Sequence, residues 1–531
     1  MVKWQRRENN GGPEERQAKM PLADSLSEYG RQKHVSFHVP GHKGESPFSA
    51  SEGISALFSA KTMNADITEI EGFDDLHHPQ GIILEAEHLA AELFGADETF
   101  FLVNGTTSGV AAAVAAAAYQ GSLVLVCRHC HESVVRGLIL GGAQPVYVEE
   151  TFDEELGIPA GVSTESVRQA LKRYPQARAL VITHPSYYGT CSKLREIADL
   201  CHSFGTAVIA DEAHGAQLYF SDQQDFPGAL RAGCDISVQS THKMLGSLTQ
   251  SSMLHVRGDL IDRERLRKMI GLMNSTSPSY LLMASLDAVR YEMALRGKAI
   301  WSAAVRMTGE AADRIGKIDG IRCLREYRNA EGEKQRIEGS RLLISAAEAG
   351  ISGRSLYKIL AHEYRIDLEF ADDFYVVAVT GSGTQYRDFA ALSDALTDLS
   401  GRVKKRFGDP YSGLRQRLTE EKIVFLRRHL KRYLFLGHET ALSPREAFFS
   451  PSERIPLQEA CGRTAACSVA VYPPGIPVLY PGEVITEEIC RYLTDALRDG
   501  CHVHGIGQEG GIFFISVVTE QICSALFGMR F

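Results

Sequence analysis

From Thr99 onward the chain alternates short apolar runs with longer amphipathic stretches. The runs are Thr99 to Val103, Leu123 to Cys127, Pro145 to Val148, Leu180 to Thr183, Ala207 to Ala210, Asp235 to Gln239 and Ser252 to Val256. Each is too short for a helix and is bounded by polar or glycine-containing turns, the mark of a buried strand. Between most of them lie helical patterns, such as Ser163 to Arg173 and Leu194 to His202. Strands that are apolar throughout, separated by helices, predict a mostly parallel seven-stranded sheet covered on both faces, an α/β fold. Upstream, Pro21 to Gly30 reads as a short helix ending at glycine. Val35 to Val39 reads as a strand entering the turn Pro40 to Gly44, and Glu85 to Phe94 as an amphipathic helix closed by Gly95. Downstream, Arg263 to Met273 and Ser279 to Leu295 read as helices. From about Gly297 the pattern changes to strands such as Arg341 to Ser345 and Tyr375 to Thr380, alternating with helices such as Ser352 to Glu363. A charged helical segment, Tyr411 to Tyr433, leads into the last part of the chain. The domains expected are a disordered tail (1–20), an N-terminal arm (21–65), a large domain (66–296), a small α/β domain (297–410) and a C-terminal domain (411–531).

A chain of 531 residues is too long for one domain, and 44% hydrophobic with 23% charged residues marks an ordinary globular protein. The net charge of -9 removes any electrostatic case for nucleic-acid binding. The longest apolar stretch, Val110 to Tyr119, is far too short to span a bilayer, so no membrane segment is expected. The first residues are polar, with Asn9-Asn10-Gly11-Gly12-Pro13 in their midst, and lack an apolar signal core. The 11 cysteines are scattered, which implies reduced thiols and a cytoplasmic location. Cys127-Arg128-His129-Cys130-His131 has C-x-x-C spacing but no second pair of ligands at a plausible distance, so no metal is expected.

In a sheet of this kind ligands sit at the C-terminal strand ends, and three polar motifs fall there. Asn104-Gly105-Thr106-Thr107-Ser108-Gly109 opens a helix, and a Gly/Thr/Ser turn at a helix N-terminus is a phosphate cradle. Asp211-Glu212-Ala213-His214-Gly215 closes the run that ends at Ala210, placing an aspartate where it can pair with a protonated pyridine nitrogen. Ser240-Thr241-His242-Lys243 follows the sixth run. A lysine whose pKa is depressed there supplies the neutral amine that attacks an aldehyde, with Ser240 and His242 beside it for a phosphate. A surface-loop lysine accounts for the last string alone. The three motifs in order point to pyridoxal 5'-phosphate (PLP).

With these motifs the sequence resembles the Orn/Lys/Arg decarboxylases of PLP fold type I, the group with the S-x-H-K attachment signature. The resemblance extends to Ser36-Phe37-His38-Val39-Pro40-Gly41-His42-Lys43-Gly44, to Glu69-Ile70-Glu71-Gly72-Phe73-Asp74-Asp75-Leu76-His77-His78-Pro79, to Thr276 through Asp287, and to Tyr472-Pro473-Pro474-Gly475-Ile476-Pro477. It runs from about Pro21 to about Thr486. It implies the PLP-dependent transferase fold with small α+β C-terminal domains, and a homodimer with shared active sites, open to higher assembly. The activity it implies is decarboxylation of a basic L-amino acid, arginine ahead of lysine or ornithine, to the amine and CO2 in polyamine biosynthesis. Lys243 would carry the cofactor, Asp211 would hold the ring nitrogen, and His131 and Ala213 would sandwich the ring. Gly105, Thr106, Thr107, Ser240 and His242 would hold the phosphate, with Thr276 reaching the partner's. His242 would also return a proton to Cα, and His214, Glu369, Asp74 and Asp75 would meet the substrate. Because the motifs begin near Pro21, the resemblance implies the short form without an N-terminal receiver-like domain, like the arginine and lysine decarboxylases of Gram-positive bacteria.

Three departures stand out. Where the family commonly has Asn-Cys-His-Lys-Ser, this chain has His129-Cys130-His131-Glu132-Ser133, which reverses a charge. Asn-Pro-Thr-Tyr-Tyr-Gly becomes His184-Pro185-Ser186-Tyr187-Tyr188-Gly189. An Ala-Glu pair becomes Ala466-Cys467. Blander readings stay open: a solvated acidic loop for Asp74 and Asp75, a structural turn for His42 and Lys43, and a helix cap for Ser277. Two rival functions also remain. One is a PLP enzyme of another type, an aminotransferase, lyase or oxidase, because the bond held perpendicular to the ring decides the reaction. The other is a degenerate regulatory paralogue.

Overall fold

The computed structural model describes residues 12–32, 34–45, 53–54, 58–407, 439–472, 476–498 and 501–519. Its centre is the expected sheet. The strands are β1 (Glu98–Leu102), β2 (Leu123–Cys127), β3 (Gln144–Val148), β4 (Ala179–Thr183), β5 (Ala207–Asp211), β6 (Ile236–Gln239) and β7 (Ser252–Val256). They lie in the order β1-β7-β6-β5-β4-β2-β3 in one 7-stranded sheet. β2 runs parallel to β3 and β4, and β7 antiparallel to β1 and β6. Every residue of β5, β6 and β7 is buried, including the polar Ser237, Gln239, Ser252 and His255. By its contacts the chain divides into two compact units, Met1–Ala113 with Ala210–Ser302, and Val114–Ile209 with Ala303–Phe531. This division interleaves along the chain, unlike the consecutive domains expected from the sequence.

In the first unit the helix Pro21–Tyr29 ends at Gly30, as its sequence predicts. The helix Ile82–Phe94 ends at Gly95, whose φ of 74° favours glycine. The helix expected to stop near Gly297 runs on as Tyr280–Ile315. Gly297 is there for close packing: a Cβ would sit 2.8 Å from Cδ1 of Phe220. The tail also differs from expectation. Pro13–Gln17 is helical, and buried Gln17 donates through Nε2 to Leu89 O at 2.9 Å. Arg290, buried on the long helix, donates to Gln17 O at 2.7 Å, and Asp287 accepts from Leu22 N at 3.0 Å. A buried ion pair needs further partners, and the backbone near residues 17–22 supplies them, so residues 12–20 are not the disordered tail expected. Residues 1–11 lie outside the described residues. Val35 to Val39 does not form a strand; Val35, Phe37 and Val39 are 86%, 93% and 66% exposed.

Glu87 on the helix Ile82–Phe94 is buried and accepts from Phe101 N at 2.8 Å. Burial pushes its carboxyl from 4.5 up to about 8. Below pH 4.5 the folded and unfolded chains both hold this proton; between 4.5 and about 8 only the folded chain does. Stability owed to this group is therefore lost as pH rises across that window. Glu87→Gln keeps the acceptor for Phe101 and removes the titration. Thermal melts should show the variant gaining on the wild type from pH 5 towards pH 8; a constant offset would refute the assignment.

The second unit holds a 4-stranded sheet in the order Arg322–Leu324, Arg341–Ser345, Val376–Val379, Phe370–Ala371. The helices Gly353–Tyr364 and Tyr386–Phe407 contribute Leu356, Leu360, Leu392 and Leu396 to its core. Two 3-stranded sheets and the helix Glu487–Arg498 form the C-terminal part. The expected helical segment at 411–433 and residues Pro473 to Gly475 of the proline loop lie outside the described residues.

Candidate active site

The three strand-end motifs of the first unit converge. The helix Gly105–Ala117 begins directly after β1, with Gly105 at a φ of 77°. Gly109 lets the first turn of that helix lie on the sheet, because a Cβ would come 2.4 Å from Cδ1 of Leu102 and 2.7 Å from Val238. Thr106 Oγ1 lies 2.6 Å from Ser240 Oγ and 2.9 Å from Ser252 Oγ, tying the helix start to the ends of β6 and β7. Thr106 and Ser240 are both buried, while Thr107 is half-buried. A single turn, Thr241–Met244, carries the next two residues. His242 Nδ1 is 2.8 Å from Ser251 O. A carbonyl only accepts, so the proton sits on Nδ1 and Nε2 is the ring's second working position. Lys243 Nζ is 3.0 Å from Nε2 of buried His214. Asp211 is buried at the end of β5 and accepts from Ala213 N at 3.2 Å. The glycine-opened helix start, the aspartate and the lysine thus follow β1, β5 and β6 of the one sheet, with Thr106 bonded across to Ser240. His214, expected to meet substrate, faces the lysine amine.

Other expected site residues have different surroundings. Asp74 caps the helix Ile82–Phe94: its carboxylate accepts from the N–H groups of Gln80 at 2.8 Å, Gly81 at 2.6 Å and Ile83 at 3.2 Å. Asp75 accepts from His77 N at 2.8 Å. The carboxylates read as acceptors for a basic substrate therefore have local work, because a helix start needs acceptors for its free N–H groups. Thr276 lies on an exposed turn. Glu369 is exposed in the second unit, beside the strand Phe370–Ala371. Sequence reasoning passed over Glu212, which is fully buried, its carboxyl pushed up to about 7 by that burial. A second acid directly after Asp211 at the end of an apolar run was the signal available for it.

In the second unit His131 is the N-cap of the helix Glu132–Gly141, accepting from Ser133 N at 3.1 Å through Nδ1. This fixes the ring's orientation and puts its proton on Nε2. The residues before it are held as firmly. His129 pairs with Glu150 at 2.8 Å, and the His129 charge holds that carboxyl below its ordinary value against the cost of burial. Two of the sequence departures sit together. Burial pushes the Glu132 carboxyl up, with Ser468 and Arg136 pulling the other way. The Cys467 thiol is raised by its own burial and then by Glu132.

Residues 20–385 match the major domain of the Orn/Lys/Arg decarboxylases, and residues 430–509 match their C-terminal domain. The chain belongs to this family. It is an amino-acid decarboxylase. The arginine decarboxylase of Bacillus subtilis (strain 168) is 34% identical over 95% of this chain and 99% of its own length. The lysine decarboxylase LdcA of Pseudomonas aeruginosa is 27% identical over 88% of this chain and 74% of its own length. Among solved structures, the Francisella novicida lysine decarboxylase LdcF superposes with a TM-score of 0.80 at 22% identity, over 95% of this chain and 82% of that one, which shows the shared fold. The family implies PLP, and the donor set of the first unit fits it. An amine, a buried carboxylate and a glycine-opened helix N-terminus match the aldehyde, the ring nitrogen and the phosphate of that molecule. Among the described residues no helix is long and apolar enough to cross a membrane, and no group of three or more His, Cys, Asp or Glu could hold a metal ion.

Proposed function

We propose that this decarboxylase acts on a basic L-amino acid, arginine ahead of lysine or ornithine, releasing CO2 and the amine that feeds polyamine synthesis. The observation that carries the reading is Lys243 Nζ at 3.0 Å from His214, next to the strand end that bears Asp211. Bound PLP would supply an electron sink for the pair left at Cα when CO2 departs. The chain's own residues do the rest. Asp211, buried at the end of β5, would hold a proton on the ring nitrogen. The N–H groups that open the helix Gly105–Ala117, with Thr107, bind phosphate. His214 takes or returns a proton at Lys243 Nζ. His242, pinned through Nδ1, moves a proton at Nε2 towards Cα. The preference for arginine is supported by the Bacillus relatives, which the chain matches over nearly their full length.

A dimer with shared sites belongs to the same reading, supported by the exposed Val35, Phe37 and Val39 of the arm, a row of apolar side chains that a second copy would cover. The test is CO2 and amine release from arginine, lysine and ornithine, each with PLP added. Stoichiometric CO2 and amine from one of them names the substrate. No release from any, with the cofactor bound and coloured, overturns the reading in favour of another PLP reaction.

A further inference from the structure

Glu212 lies between the two strand ends that carry Asp211 and Lys243. Its backbone N–H donates to Val238 O on β6 at 3.0 Å. Its carboxylate reaches the same strand: Oε2 accepts from Gln239 Nε2 at 2.9 Å and from Ser237 Oγ. Oε2 also accepts from Tyr219 OH at 3.3 Å, and Oε1 accepts from Ala229 N at 2.7 Å. One carboxylate, 0% exposed, thus joins the residue after Asp211 to the residue before Ser240. It also gathers the short helix Ala216–Tyr219, which follows His214, and the helix Ala229–Ala232.

Two strands already paired through their backbones need no charged side chain to stay paired. Burying a carboxylate is costly, and it is tolerated only when the donors around it are in place. Here those donors come from β6, which leads to Lys243, and from the two short helices between Asp211 and that strand. PLP is a rigid planar molecule whose ring nitrogen and aldehyde lie at opposite ends of the ring, so the groups that hold those ends must keep a set separation.

We infer that Glu212 is a positioning residue that fixes Asp211 and Lys243 relative to each other. The inference rests on the roles given to those two residues above. The test uses the full chain carrying Glu212→Gln, which keeps the volume but turns an N–H2 towards Gln239, Ser237 or Ala229. Two readouts are taken well below the melting temperature: PLP affinity by titration of the apoprotein, and the pH midpoint of the visible band of the bound cofactor. We expect affinity to weaken about tenfold or more, as loss of an outer partner does at other preorganised sites, and the midpoint to move. A lower melting temperature with both readouts unchanged would overturn the inference, since that is what a purely structural role predicts. If Glu212→Gln does not fold, Ser237→Ala removes a single donor and should move both readouts the same way by less; no movement overturns the inference. A wild-type chain that takes up no PLP overturns the functional reading instead, and that measurement comes before any variant.

Discussion

Lys243→Ala is expected to remove the visible band of the bound cofactor and to lower turnover by roughly three orders of magnitude or more, the scale seen when a covalent nucleophile is lost. The size of the effect follows from what the amine does. In the proposed mechanism it is both the attachment point and a base, and an alanine methyl provides neither. The surroundings are expected to survive. Lys243 is exposed, and the turn Thr241–Met244 is anchored by buried Thr241 and Met244. The variant should therefore melt close to the wild type and still bind PLP non-covalently, through the helix N-terminus and Asp211. Absorbance spectroscopy with dialysis separates the two modes, because covalently held cofactor stays with the wild type while the variant's dialyses away. A variant that keeps the band would show that a different lysine is used, and the reading of the S-x-H-K motif would fall with it.

The sheet was legible in the sequence because most of its strands are buried over nearly their whole length. Short apolar-rich runs between helical patterns mark such strands, and each became a strand within a residue or so of its expected ends. The chemistry at the strand ends was legible for a related reason. A lysine, an aspartate and a Gly/Thr/Ser turn are unusual where an apolar strand stops, so each is conspicuous. What stayed hidden depends on contacts between distant segments. Nothing local shows that Gly297 faces Phe220, so a helix that continues read as a helix that stops. Nothing local shows that Asp287 and Arg290 capture the backbone near residues 17–22, so an anchored segment read as a tail. Asp74 was read as a substrate ligand because acids suit a basic substrate, yet the helix starting at Ile82 needs acceptors just where Asp74 lies. The departures at Glu132 and Cys467 are far apart in sequence, yet the Glu132 charge is close enough to raise the Cys467 thiol.

Glu483→Gln is expected to produce the largest loss of stability, about 3–5 kcal/mol, the cost of breaking one side of a buried ion pair. Arg128 and Glu483 form a two-pronged pair, with Nη1 to Oε1 at 2.7 Å and Nη2 to Oε2 at 3.0 Å, and both residues are buried. Glu483 also accepts from Tyr480 N at 2.8 Å. The guanidinium lies 4.1 Å from the ring centre of Tyr480 and 4.7 Å from that of Tyr147. Tyr480 OH donates to Arg128 O at 2.8 Å and lies 3.3 Å from Cys130 Sγ. Residues 128–130 are thus clamped by the C-terminal part of the chain directly before His131. An amide at 483 removes the opposing charge and turns one of the two carboxylate acceptors into a donor facing the guanidinium, while Arg128 stays charged and buried. The penalty comes from that stranded charge rather than from the worth of the bond. Arg128→Met combined with Glu483→Gln removes the charge and should melt well above Glu483→Gln alone, although it has lost every contact of the pair. The two outcomes separate cleanly in denaturant or thermal melts. If the double variant melts no higher than Glu483→Gln, the clamp stabilises by its bonds and not by neutralising a buried charge. If both match the wild type, the pair does not hold the segment before His131 at all.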